Sequence, residues 1–111
     1  MAVDRANAAE SEWMGRVKRC RCVVCEHMGL TQDGPTFAHH RKDATSLRGG
    51  HYTTAALCYE HHQGASGIHA LGSKGFYLRY KLDDWDIVEL TIEAVFHAIR
   101  EARRAYQEVL G

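Results

Sequence analysis

Cys58-x2-His61-His62-x6-His69 is the stretch that most narrows what this chain can fold into, because it gathers four metal-binding side chains into twelve residues. Upstream, Cys22-x2-Cys25 adds two soft ligands and His39-His40 adds an adjacent imidazole pair. The chain thus carries ligands for one closed site and one open site. The closed site would hold the fold, and the open one could do chemistry. At 111 residues the chain reads as a single domain, 1–111, small enough that a metal staple helps its core.

A hydrophobic share of 45% and a charged share of 25% are those of a globular protein and argue against disorder. No apolar run approaches the roughly 20 residues of a membrane span, so no membrane partner is expected. Met1–Arg19 is rich in Ala, Asp and Glu, has no continuous apolar core, and does not read as a signal peptide. The expected setting is therefore a reducing cytoplasm, where four cysteines serve as metal ligands rather than disulfides.

Net charge is zero, yet its distribution is uneven. Between Met14 and Lys81 stand Arg16, Lys18, Arg19, Arg21, Arg41, Lys42, Arg48, Lys74, Arg79 and Lys81, against Glu26, Asp33, Asp43 and Glu60. The region holding the ligands is thus locally basic and suited to a phosphate backbone. Arg100, Arg103 and Arg104 read instead as a solvated helix face.

Hydrophobic spacing predicts a first helix over Asp4–Arg19, with Ala6, Ala9, Trp13 and Val17 in phase. It leads into Cys22–Cys25, read as a tight knuckle turn. Thr36–His40 reads as a short strand, Ser46–Gly50 as a Gly-containing loop, Tyr52–Leu57 as a second strand and Cys58–Gln63 as a brief helix broken by Gly64, Ser66 and Gly67. A long C-terminal helix spans about 83–110, with Trp85, Val88, Ile92, Val95, Phe96, Ile99, Ala102, Tyr106 and Val109 in phase and Asp83, Asp84 and Asp86 at its start. Its outer part is expected to pack on the first helix or on a second copy of the chain, a homodimer. The expected fold is α+β: a small zinc-stabilised ββα-metal core over about 20–72, flanked by an N-terminal and a long C-terminal helix.

Geometry sorts the ligands. Cys58 and His61 are three apart and share a face of a helical turn, so with Cys22 and Cys25 they form a Cys3His tetrahedron suited to structural zinc. His62 points about 100° away from His61 and is available to a second ion. On a strand, His39 and His40 face opposite sides, so one can bind that ion while the other faces substrate. With His39 taken as the ligand, His39, His62 and His69 leave positions open for water and a phosphate oxygen, as a catalytic magnesium, manganese or zinc site requires.

The order Cys22-x2-Cys25, His39-His40-Arg41, His51-Tyr52-x4-Leu57-Cys58-x2-His61-His62 and Ile68-His69-Ala70 resembles the phage recombination enhancement function (Ref) nucleases, an offshoot of the HNH endonucleases with their His-Me finger. The resemblance runs from about Trp13 into the final helix. It implies a divalent-metal endonuclease, encoded by a phage or prophage and acting in the bacterial cytoplasm, that cuts DNA paired by a RecA filament. It implies His39 as a metal ligand and His40 as the general base. The usual central asparagine of HNH enzymes is missing: the chain's asparagine is Asn7, and Thr53 and Thr54 lie near that place.

The expected chemistry is phosphodiester hydrolysis, with His40 taking a proton from water and Arg41 or Lys42 holding the flanking phosphate. The rival reading is a non-catalytic, zinc-stabilised adaptor that binds DNA or protein. Cys20 reads as a spare thiol able to replace Cys22, His51 as a loop hydrogen-bonding residue, and His27 and His97 as surface or packing residues.

Overall fold

The computed structural model describes residues 5–42 and 49–111. Asp4, Asp43, Arg48 and the 46–48 part of the expected loop lie outside the described residues. The order is helix α1 (Ala8–Lys18), helix α2 (Val23–Met28), strand β1 (Thr36–His40), strand β2 (Thr54–Cys58), then helices α3 (Tyr59–His62), α4 (Ile68–Tyr80) and α5 (Asp84–Leu110). The fold is α+β, with a two-stranded antiparallel sheet among helices.

α1 starts later than its apolar spacing predicts because Asn7 caps it. The Asn7 side chain accepts from the Glu10 amide at 2.8 Å, and the Glu10 carboxylate accepts from the Asn7 amide at 2.8 Å, a reciprocal capping box. The knuckle at Cys22–Cys25 is the opening of a helix rather than a turn. Cys22 stands at the N-cap of α2, Gly29 ends it at φ 68°, and the Leu30 amide donates back to the Cys25 carbonyl at 2.8 Å.

β1 falls where its sequence places it and pairs from Thr36 opposite Cys58 to His40 opposite Thr54. β2 begins two residues late. The preceding residues form a turn in which Thr53 donates to the Gly50 carbonyl and Thr54 Oγ1 donates to the His51 carbonyl at 3.2 Å. All five residues of β2 are buried, and α5 and α1 both pack against it.

α4 is the element the spacing did not signal. Gly72 kinks it, at φ 73°. Beyond the kink Phe76 and Tyr80, one turn apart, are both buried and restore an inward face.

α5 is capped by Asp83 and Asp86, each side chain accepting from the other's amide at 2.7 and 2.9 Å. Its buried face is Ile87, Val88, Thr91 and Val95, so Trp85 and Phe96 lie at its margins, each 55% exposed. Thr91 belongs to the face for a polar reason. Its Oγ1 accepts from the Ala56 amide at 2.9 Å and donates to the Ile87 carbonyl at 2.7 Å, giving β2's outward amide the partner that buried backbone requires. Trp13 meets Phe96 with ring centroids 6.3 Å apart, so α1 does pack on α5. From Arg100 onward α5 is exposed. No helix among the described residues is long and apolar enough to cross a membrane.

Candidate metal centres

Cys22 and Cys25 enter from the start of α2, Cys58 from the end of β2 and His61 from α3, and all four side chains are buried. Their ligand atoms lie within 4.8 Å of one another. With Zn–S near 2.3 Å and Zn–N near 2.0–2.1 Å, an ideal tetrahedron has S···S edges of about 3.8 Å and S···N edges of about 3.5 Å. Cys25 and Cys58 sulfurs are 3.9 Å apart, and His61 Nδ1 lies 3.6, 3.6 and 3.3 Å from the sulfurs of Cys22, Cys25 and Cys58. These four edges match those of a zinc tetrahedron, and the cluster could hold a structural zinc. All four cysteines, Cys20 included, are free thiols.

The donor chemistry agrees with the spacing. Burial, and then the neighbouring Cys22 and Cys58 thiols, push the Cys25 thiol up to about 12, and burial raises Cys58 as well. Burial lowers His61. Such a buried group of thiols and imidazole ionises readily only around a cation.

The second cluster is His39 from β1, His62 from α3 and His69 from the first turn of α4, again with donors within 4.8 Å. Ring centroids of His39 lie 5.1 Å from those of both His62 and His69, and the Nε2 atoms of His62 and His69 are 3.0 Å apart. Burial, followed by His62, His69, His40 and Lys42, depresses His39 to about 3, and burial depresses His62 as well. His39 and His62 thus favour the neutral form, which is the one that ligates metal. His39 Nδ1 is buried with no hydrogen-bond partner among the described residues, an arrangement that fits a ligand set better than a satisfied structural histidine. His39 is buried, His62 half-buried and His69 exposed, so the cluster opens toward solvent on the α4 side.

The two clusters share α3. His61 turns into the cysteine cage and His62 to the imidazole group, as their helical offset requires. The turn after α3 then brings His69 back. A side chain at Gly67 would meet the Glu60 carbonyl oxygen at 2.7 Å and the His62 carbonyl at 2.8 Å, so only glycine allows this approach. Glu60 accepts from the Ser66 amide at 2.9 Å, and Tyr80 donates to the Ser66 carbonyl at 2.7 Å while setting its ring edge on His61.

His40 points to the opposite side of β1 from His39. Its Nε2 lies 3.0 Å from Nδ1 of His51, with the rings nearly perpendicular. Arg41 is half-buried, with its guanidinium 4.0 Å above the Trp85 ring, and Lys42 is exposed. Cys20 lies outside the cage and donates to the Arg16 carbonyl at 3.4 Å. His27, His97 and Arg100, Arg103 and Arg104 are exposed.

Sequence reasoning missed Gln32. It accepts from the Cys22 amide at 2.6 Å and donates to Thr36 Oγ1 at 2.9 Å, while Thr36 donates to the Cys20 carbonyl at 2.7 Å. These bonds tie the first cysteine loop to β1. A lone glutamine in a loop carries no periodic or spacing signal that could have revealed it. No family model, curated protein or solved structure matches the chain.

Proposed function

We propose that this chain is a metal-dependent DNA endonuclease built on a ββα-metal core of the HNH type. The observation that carries the reading is the convergence of His39, His62 and His69 on one partly open point, with His40 on the neighbouring strand position and a closed Cys3His cage one residue away. Structural zinc sites are closed, whereas three protein ligands with room for a fourth group characterise hydrolytic ones.

A divalent ion on the three imidazoles would polarise the scissile phosphate and stabilise the departing oxygen. The protein's own share is placement and proton transfer. His40 accepts a proton from the attacking water as the new O–P bond forms. The opposite P–O bond breaks, and the leaving oxygen takes its proton from solvent. Lys42 and the Arg41 guanidinium, held on Trp85, hold the flanking phosphate. The surrounding basic residues draw in the DNA backbone. The resemblance to the Ref nucleases makes DNA paired by a RecA filament the preferred substrate.

The test is incubation of the full chain with single-stranded, duplex and RecA-paired DNA, with and without magnesium, manganese or zinc, alongside metal analysis of the same sample. Metal-dependent nicking that His40→Ala abolishes at unchanged metal content is the expected result. Binding without nicking, with His40 dispensable, would establish the adaptor instead.

A further inference from the structure

His51 is a buried imidazole that the metal clusters do not use. The backbone around it is set with care. The turn before β2 is closed by Thr53 on the Gly50 carbonyl, and the buried Thr54 hydroxyl donates to the carbonyl of His51 itself. Register then fixes the other partner, because Thr54 stands opposite His40 in the sheet. The result is His51 Nδ1 at 3.0 Å from His40 Nε2, with the rings meeting at 82°.

We infer that His51 is a positioning residue for His40, holding its ring plane through this contact. The inference rests on the nuclease reading above. With the two nitrogens 3.0 Å apart and the rings crossed at 82°, the His40 ring is held in one plane and meets the attacking water in one orientation, in the way a carboxylate orients the histidine of a hydrolase triad.

The experiment compares wild type, His51→Ala and His51→Asn, whose amide oxygen can stand where Nδ1 stands. Expected for His51→Ala is a fall in kcat of about ten- to a hundredfold, the range seen when an orienting outer partner is removed, with KM and bound metal unchanged. His51→Asn should regain most of the loss. Nitrogen-15 spectra of the wild type should show a scalar coupling across the hydrogen bond between His40 Nε2 and His51 Nδ1. That measurement needs no DNA, and its outcome decides the matter even if His51→Ala does not fold. Wild-type kcat in His51→Ala, equal impairment in both variants, or absence of that coupling would each overturn the inference while leaving the nuclease reading intact. Absence of nicking by wild type would remove the nuclease reading itself, and with it a role for His51 in catalysis.

Discussion

Replacing Cys25 by serine should abolish the cooperative fold rather than shift its melting point. A chain of 111 residues has a net stability of about 6–17 kcal/mol at typical values per residue. Zinc in a structural site supplies about 10–16 kcal/mol near pH 7, as much as the whole. The cage joins α2, β2 and α3, so losing it releases three of the elements around the core together. A serine hydroxyl at position 25 leaves two thiols and one imidazole, below the four donors a tetrahedral structural site uses. Cys20→Ser is the internal control, because its sulfur lies outside the cage and donates to the Arg16 carbonyl. It should keep its zinc and change stability by no more than about 0.5 kcal/mol, as substitutions outside key contacts do. The assay is thermal circular dichroism with zinc measured on the same samples. A sharp melt in Cys25→Ser near the wild-type temperature, or loss of zinc in Cys20→Ser, would refute the assignment of the cage.

Four further outcomes are expected. Thr91→Val strands the buried Ala56 amide and should destabilise the zinc-loaded protein by about 1–3 kcal/mol, read as a lower melting temperature that Thr91→Ser restores. His69→Ala should lower the bound metal from two ions to one in elemental analysis while leaving the melt cooperative, because only the open cluster loses a donor. Gly67→Ala forces a Cβ against the carbonyls of Glu60 and His62, and should displace His69 and weaken the second ion with the cage retained. His39 is held near 3, below its ordinary 6.5, by burial first. At pH 5, where an ordinary imidazole is almost wholly protonated, it therefore stays neutral, and its ring signals in metal-free protein followed by NMR should show no protonation step down to that pH, whereas a midpoint near 6.5 would contradict the shift.

The grouping of the two donor clusters was legible because metal spacing is local. Cys-x2-Cys, Cys-x2-His and a histidine one residue further on are short patterns whose directions follow from helix geometry. Strand β1 was legible for a similar reason, as an isolated β-prone run between a proline and a basic pair. The start of β2 was not, since the turn that delays it depends on hydroxyls of Thr53 and Thr54 finding particular carbonyls. α4 was hidden because Gly72 interrupts its apolar spacing between Ile68 and the pair Phe76 and Tyr80, and Tyr80 is fixed by its contacts with His61 and the Ser66 carbonyl. The phase of α5 was misjudged around Trp85 and Phe96 because Thr91 interrupts the apolar series. Its reason for being there is an amide 35 residues away. The partnership of His40 with His51 depends on sheet register, which residue types alone do not specify.

The peptide bond between His61 and His62 places both centres under one rule of length. Any residue gained or lost between Cys58 and His62 swings the following imidazole off its target, and one gained before His69 spoils the turn at Gly67. Insertions and deletions among descendants of such a chain should therefore be excluded from the 58–69 interval and collect in the exposed end of α5. A shift between Cys58 and His62 thus disturbs both clusters at once, whereas a change at His69 reaches the open one alone.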